Sequence, residues 1–440
     1  MSQAYKCPIL GWIILMTILY SNSTIAAIDI NRLKQLFDSG NSQLAYNYAL
    51  TELSENEGDP VFDYYYGAAA IDIGHASEGV FALERVLDSQ PGHLAARLEL
   101  ARGYFILEEY SRSRAEFRLL LKANPPDDVA EKVYTYLDTM RGEEGRHTTL
   151  HTAYVEAAYG TDSNVNSGPS NPTITFLGQV GQLSASALEQ RDSFSELTAN
   201  YKVTTPISAG ISFNATINGK QRNNYERSEL DTSTYTGNAG FRFLHAQDEY
   251  SIGVIAQQFN VDGENYRNLT GLDANWSRHL SQTTTLMSFL QFSQQDFIGQ
   301  TARNINATTL GLGLTKRLET SALFASVYAA KDDPESNTDI AKQIAERNYY
   351  GGRVGGIFNT SAKSSVQISF NHQSSEYGLE NIDGILREDD YNSTDIDFKY
   401  TLSRNWSLLA DASYIKNDSS NTINEYNRKL ASISLRYETK

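Results

Sequence analysis

Cysteine is almost absent from this chain. The single one, Cys7, lies ahead of an apolar run, so everything after it lacks a thiol, which excludes disulfides and thiolate-held metals there. Basic charge is scarce too: 37 Lys and Arg stand against 53 Asp and Glu, a formal net charge of −16. No nucleic acid is expected as a partner, because one would call for a basic face. After the first twenty residues no stretch is apolar enough for a membrane helix, and the mean hydropathy is −0.43. Among the 440 residues, however, are 27 Tyr and 18 Phe set in Thr, Ser, Asn and Gly. That mixture suits a β-barrel, in which only every second residue faces lipid and hydropathy stays low.

The start reads as a secretory signal peptide over residues 1–26. Lys6 precedes the apolar run Ile9 to Tyr20, and Thr24 and Ala26 supply the small residues before a cleavage site. A run of about a dozen residues is too short to cross a bilayer as a helix.

Residues 27–145 carry apolar residues at helical spacing and match themselves at an offset of 34 residues. Gly67 aligns with Ala101, Ala70 with Tyr104, Leu83 with Phe117, Val86 with Leu120, and Pro91 with Pro125. The pattern is similar to the tetratricopeptide repeat. It predicts two clear repeats, a degenerate helix pair over Asn31 to Leu53 and a capping helix over Asp127 to Met140. Such units cannot bury their apolar faces alone, so flanking helices are needed. In the usual geometry Tyr64, Asp72, Arg102 and Phe105 point into a concave groove, where they could bind a partner's extended segment.

Beyond that domain, over 146–440, the period changes to 2. Phe213, Ala215 and Ile217 alternate with Ser212, Asn214, Thr216 and Asn218; Trp406, Leu408, Ala410, Ala412 and Tyr414 alternate with Ser407, Asp411 and Ser413. Six short connections, at 206–209, 245–248, 281–282, 319–320, 360–363 and 403–405, interleave with seven longer polar ones, including Val261 to Arg267. This predicts an antiparallel transmembrane barrel of about 14 strands with its long loops outside. The fold class is therefore α + β multidomain: periplasmic helical repeats followed by an outer-membrane barrel, in contact with outer-membrane lipids and lipopolysaccharide. Tyr154, Tyr159, Trp276, Trp406 and Tyr437, near strand ends, are expected in interfacial aromatic belts.

The first strand ends on Ala157-Ala158-Tyr159-Gly160-Thr161-Asp162-Ser163-Asn164-Val165-Asn166. Helical repeats joined to a barrel of about 14 strands through such a junction resemble the surface lipoprotein assembly modulators, the Slam family. That resemblance covers nearly all of the chain after residue 26. It implies an outer-membrane translocation factor that helps a client lipoprotein or secreted protein reach the cell surface, with some relatives described as host-colonisation factors. The chain departs from the family's larger members in having two convincing repeats, and from typical outer-membrane strands in ending Tyr437-Glu438-Thr439-Lys440.

No catalytic residues, metal or cofactor are expected. Of the barrel's histidines His151 is at the start, His245 and His279 are at short turns, and His372 follows Val366, Ile368 and Phe370 onto the lipid face, so none is placed as a general base. Gly160, Asp162, Asn164 and Asn166 include one carboxylate, too few for Ca²⁺, and read instead as side chains that bond their own backbone to turn the chain. The acidic outer loops, with Asp332-Asp333 and Glu388-Asp389-Asp390, could meet divalent ions or a host surface. The rival readings are a surface host-colonisation factor acting through its loops, and a passive porin or polysaccharide-export channel.

Overall fold

The computed structural model describes residues 29–144, 148–176 and 179–439, and the expected signal peptide lies outside them. The chain divides into two compact units between Met140 and Arg141.

The first unit is helical: α1 (Ile30–Asp38), α2 (Ser42–Leu50), α3 (Leu53–Asn56), α4 (Pro60–Asp72), α5 (Ala76–Ser89), α6 (Leu94–Ile106), α7 (Tyr110–Lys122) and α8 (Asp127–Glu144). Sequence sets these limits. Asp59 accepts from the Val61 and Phe62 amides, with Pro60 as the first residue of α4. Gly74, at φ +92°, ends that helix in a conformation closed to most side chains. The residues matched at 34 fall at equivalent places in the hairpins α4/α5 and α6/α7. Gly67 lets α4 approach α5 so closely that a Cβ would lie 2.9 Å from Leu83, and the Ser113 hydroxyl of α7 donates to the Ala101 carbonyl of α6 at 2.8 Å. Leu83, Val86, Phe117 and Leu120 are buried. This arrangement is compatible with tetratricopeptide-like packing.

The second unit is a closed antiparallel barrel. Its strands are β1 (Leu150–Asp162), then, after a small hairpin β2 (Thr173–Phe176) and β3 (Gln179–Gln182), β4 (Asp192–Ser208), β5 (Ile211–Asn224), β6 (Thr232–His245), β7 (Asp248–Val261), β8 (Glu264–His279), β9 (Thr284–Phe297), β10 (Ile305–Arg317), β11 (Ser321–Pro334), β12 (Arg347–Ser361), β13 (Ser364–Tyr377), β14 (Glu388–Thr401), β15 (Trp406–Ser419) and β16 (Tyr426–Glu438). A short helix α9 (Asp339–Ile344) sits in the β11–β12 loop. Each barrel strand pairs with its sequence neighbours, and β1 closes on both β4 and β16, giving 14 strands in the ring. The strands run 13 to 17 residues, enough to cross a bilayer at the usual tilt of about 45°.

Alternation sorts the two faces. Ile217, Val254, Leu312, Val327, Val354 and Ile433 stand more than half exposed on the outside, where lipid would cover them, while their neighbours in sequence line a polar interior. Every barrel strand is paired on both sides, so the ladder bonds are made within the ring, as hydrocarbon requires. This is a membrane-spanning barrel of the outer-membrane type. Among the described residues no helix is long and apolar enough to cross a membrane.

Two expectations need correction, and one feature was not foreseen. Val261 to Arg267 is not a long loop: β7 and β8 meet through Asp262-Gly263, both at positive φ (52° and 75°), the tight turn an Asp-Gly pair favours. The first outer connection contains the β2–β3 hairpin, which its few residues did not announce. Tyr154 faces the lumen instead of lipid, because it shares a face with Glu156 and the Arg436 guanidinium covers its ring at 4.6 Å. Trp406 and Tyr437 do meet on the outer face, with ring centroids 5.0 Å apart.

Candidate functional site

In the helical unit α4 packs beside both α2 and α6, so these helices form one layer and the residues expected in a groove fall on α4 and α6. Arg102 bridges Asp72 at 3.0 Å and Glu99 at 2.5 Å, and Ser42 donates to the second oxygen of Asp72 at 2.8 Å. Glu99 is raised above the ordinary carboxylate range, chiefly by burial, with Arg102 pulling the other way. Tyr64 lies against Tyr65 and His93. Its hydroxyl is pushed up to about 12 by burial and then by the charge of Glu99. Tyr64, Asp72 and Arg102 thus belong to one charged and aromatic neighbourhood. Phe105 instead packs with Tyr110 and Tyr136 beside the core around Phe117. Glu99, three residues before Arg102 on the same helix, was not foreseen as its second partner.

At the end of β1 Gly160, Asp162 and Asn164 are buried and Asn166 is half-buried. Gly160 and Asp162 belong to the strand itself, and Asn164 and Asn166 follow it. Asn164 and Asp162 are 0% exposed. Asp162 takes the Arg428 guanidinium through Nε at 3.0 Å and a terminal nitrogen at 2.5 Å, and Arg222 at 2.7 Å. Asn164 holds the carbonyls of Gly168 and Asn427 and accepts the Gly168 amide; Asn166 ties Gln190 and Leu188 to the same turn. The backbone-bonding expected of these residues is present. The ion pairs to Arg222 and Arg428 were not foreseen, because those partners lie 60 and 266 residues away in sequence. The cluster pins the ring where first and last strands meet. That seam is short: β1 pairs with β4 from Leu150 to Asp162, but with β16 only from Tyr154 to Asp162.

The lumen has two unlike walls. Glu156, Glu196, Asp395, Asp397 and Asp411 all face inward from β1, β4, β14 and β15, with Asp397 directly across from Asp411. They are held by neighbours: Arg436 on Glu156 at 2.7 Å, Lys220 on Glu196 at 2.8 Å, Asn371 on Asp395 at 2.9 Å. About half the circumference away, β9 and β11 present Met287, Phe289, Phe324 and Tyr328. Each lies over an inward-facing glycine of the next strand, respectively Gly313, Gly311, Gly355 and Gly351, so tightly that a Cβ on Gly311 would come 2.3 Å from the Phe289 ring. Glycine here lets large rings lie along the wall instead of standing across the bore. At the outer mouth, Ala345 at the end of α9 packs with the inward-facing Ile305 and Ala307, and Gln343 donates to the Glu380 carbonyl at 2.9 Å, so two loops fold together there.

The histidines fall where expected. His151 and Tyr201 meet at 2.6 Å near the short-turn end, His279 bonds Thr285, and His372 bonds Asn392 on the outer face. Among the described residues no group of three His, Cys, Asp or Glu is arranged to hold a metal ion.

No family model matches the chain. Curated relatives do. It is 23% identical over 221 residues to a surface lipoprotein assembly modifier of Moraxella catarrhalis, covering 50% of this chain and 41% of the relative. It is 23% identical over 256 residues to a protein of the same name from Pasteurella multocida strain Pm70, covering 55% and 48%. The chain therefore spans less than half the length of the curated relatives it matches. The resemblance read from the sequence is borne out by these names. Solved structures with a similar barrel include the outer membrane channel DcaP of Acinetobacter baumannii (10% identity, TM-score 0.44, 66% of this chain and 97% of that one). A FadL homologue of Pseudomonas aeruginosa also matches (10%, TM-score 0.38, 65% and 90%).

Proposed function

We propose, taking the similarity to surface lipoprotein assembly modifiers as premise, that this protein is a non-enzymatic outer-membrane factor that brings a client lipoprotein or secreted protein to the cell surface. That similarity carries the reading; the geometry supports it. In this reading the N-terminal unit, residues 27–145, lies in the periplasm, where β1 starts and β16 ends on the short-turn side of the barrel. The α4–α6 face around Tyr64, Asp72 and Arg102 offers donors, acceptors and aromatic surface to an extended client segment, and the barrel provides the passage or the release site. Lipid and lipopolysaccharide surround the outer belt, and surface display of the client is the route by which the protein would serve host association.

The test is protease shaving of intact cells with the full chain, with a variant lacking 29–140, and with Asp72→Ala/Arg102→Ala. A client that stays inside the cell in the deletion and is displayed less in the double variant supports the proposal. An unchanged surface proteome overturns it. A passive channel is the second reading, favoured by the rings laid flat against the lumen wall; steady ion conductance in planar bilayers without any client would support it.

A further inference from the structure

We infer that the outer end of strands β7 to β9 holds a binding site for a phosphate group, built by Arg267 and Arg303. Four other arginines near the mouth are neutralised by buried carboxylates: Arg222 and Arg428 by Asp162, Arg347 by Asp332, Arg387 by Asp389. Arg267 and Arg303 are not. Arg267 donates to the amide oxygens of Gln295 at 3.1 Å and Gln257 at 3.0 Å, and Arg303 to the Tyr266 hydroxyl at 2.6 Å and Gln300 at 3.1 Å. All four acceptors are uncharged. The neighbouring acids, Asp296 and Glu335, are turned to the amides of Gln294 and Asn304. Arg267 Nε is buried with no partner.

The two cations share one aromatic frame. Phe297 has Arg267 5.9 Å and Arg303 4.6 Å from its ring centre, Phe259 flanks Arg267 at 5.9 Å, and Tyr266 flanks Arg303 at 5.8 Å. The frame exists because the β7–β8 pairing shifts register at Phe259/Asn260, which leaves Tyr266 as an extra residue and re-aims its ring. Stacking fixes each guanidinium's plane and leaves its edge nitrogens for a ligand. Two like charges held together in a chain of net charge −16, with no carboxylate between them among the described residues, are stabilised by an anion. The planar fork of arginine matches the oxygens of a phosphate better than a lone chloride. Two sources carry that chemistry at an outer rim: the phosphorylated headgroup of lipopolysaccharide, and a phosphorylated solute in the lumen.

The full chain in detergent micelles, checked for folding by its heat-modifiable gel mobility, is titrated calorimetrically at low salt with three probes. These are inorganic phosphate, deep-rough lipopolysaccharide, and the same lipopolysaccharide with its phosphates removed. Binding that fails with the dephosphorylated lipid and weakens at least tenfold in Arg303→Gln assigns the site to the headgroup. Binding of inorganic phosphate with the same dependence assigns it to solutes. Arg303→Lys, which keeps the charge and loses the fork, falls between. Arg303 sits in a loop, so its variants leave the strand pairing intact even if Arg267→Gln does not fold. No binding of any probe, or binding that Arg303→Gln leaves unchanged, overturns the assignment.

Discussion

The two units of this molecule are stabilised in opposite senses. In the helical unit the fully buried side chains are mostly apolar: Phe62, Phe117, Leu33, Leu83 and Leu120 exclude water from a conventional interior. In the barrel unit the largest side chains that leave solvent altogether, among the described residues, are Asn164 and Asp162, while Ile217, Val327 and Ile433 stand on the outside. The same alphabet serves both because the solvent differs. Water drives the helices together, whereas lipid offers no such drive and the ring is held by ladder bonds and by polar clusters facing inward.

The sharpest way to break that contrast is Asp162→Ala. It strands Arg222 and Arg428 without their shared carboxylate at the closing seam, and breaking a buried pair costs about 3–5 kcal/mol. Urea titration in micelles, read by gel mobility, should show a midpoint well below that of the unaltered chain. Next comes a paired test of face. Ile217→Arg puts a charge at mid-strand toward lipid and should cost roughly 2–4 kcal/mol; Thr216→Arg, one residue away beside the inward-facing Lys202 and Asn214, should cost much less by the same measurement. Equal costs would refute the assigned faces. A third variant, Gly311→Leu, leaves no room for the Phe289 ring and should push it into the bore, lowering single-channel conductance with little change in stability.

The smallest effect belongs to the helices. With Tyr64 at about 12 in the folded chain against an ordinary value of 10.0, the folded state holds the phenolic proton more tightly. Its contribution is complete below the unfolded value and is lost as pH rises through the folded one. Helical circular dichroism of the full chain should weaken as pH climbs from about 10 towards 12, and Tyr64→Phe should flatten that slope.

Much of the architecture was legible because it rests on local period. The 34-residue offset placed Gly67 and Ala101 where their helices cross, and alternation around Ile217 and Leu408 assigned the faces of β5 and β15. What was misread depended on partners or on parity. Tyr154 looked interfacial from its place at a strand end, yet Glu156 and Asp162 on the same face were the available signal that it points inward. The Asp262-Gly263 turn was hidden by the polar residues Glu264 and Asn265 that follow it, although the dipeptide itself marks a hairpin. Asp162 could not be read as an anchor at all, since Arg428 reaches it only once the ring has closed. The candidate face of α4 and α6 was nameable by repeat position, but the Glu99–Arg102–Asp72 chain across it needed three dimensions.

The tight β7–β8 turn gives the barrel an uneven rim. Every other link on that side is a longer segment, some carrying a helix or hairpin of their own, whereas here the wall stops two residues beyond the strands. The rim therefore has a notch. A client passing through the lumen as proposed would meet the least loop cover there, directly beside Arg267 and the aromatic frame.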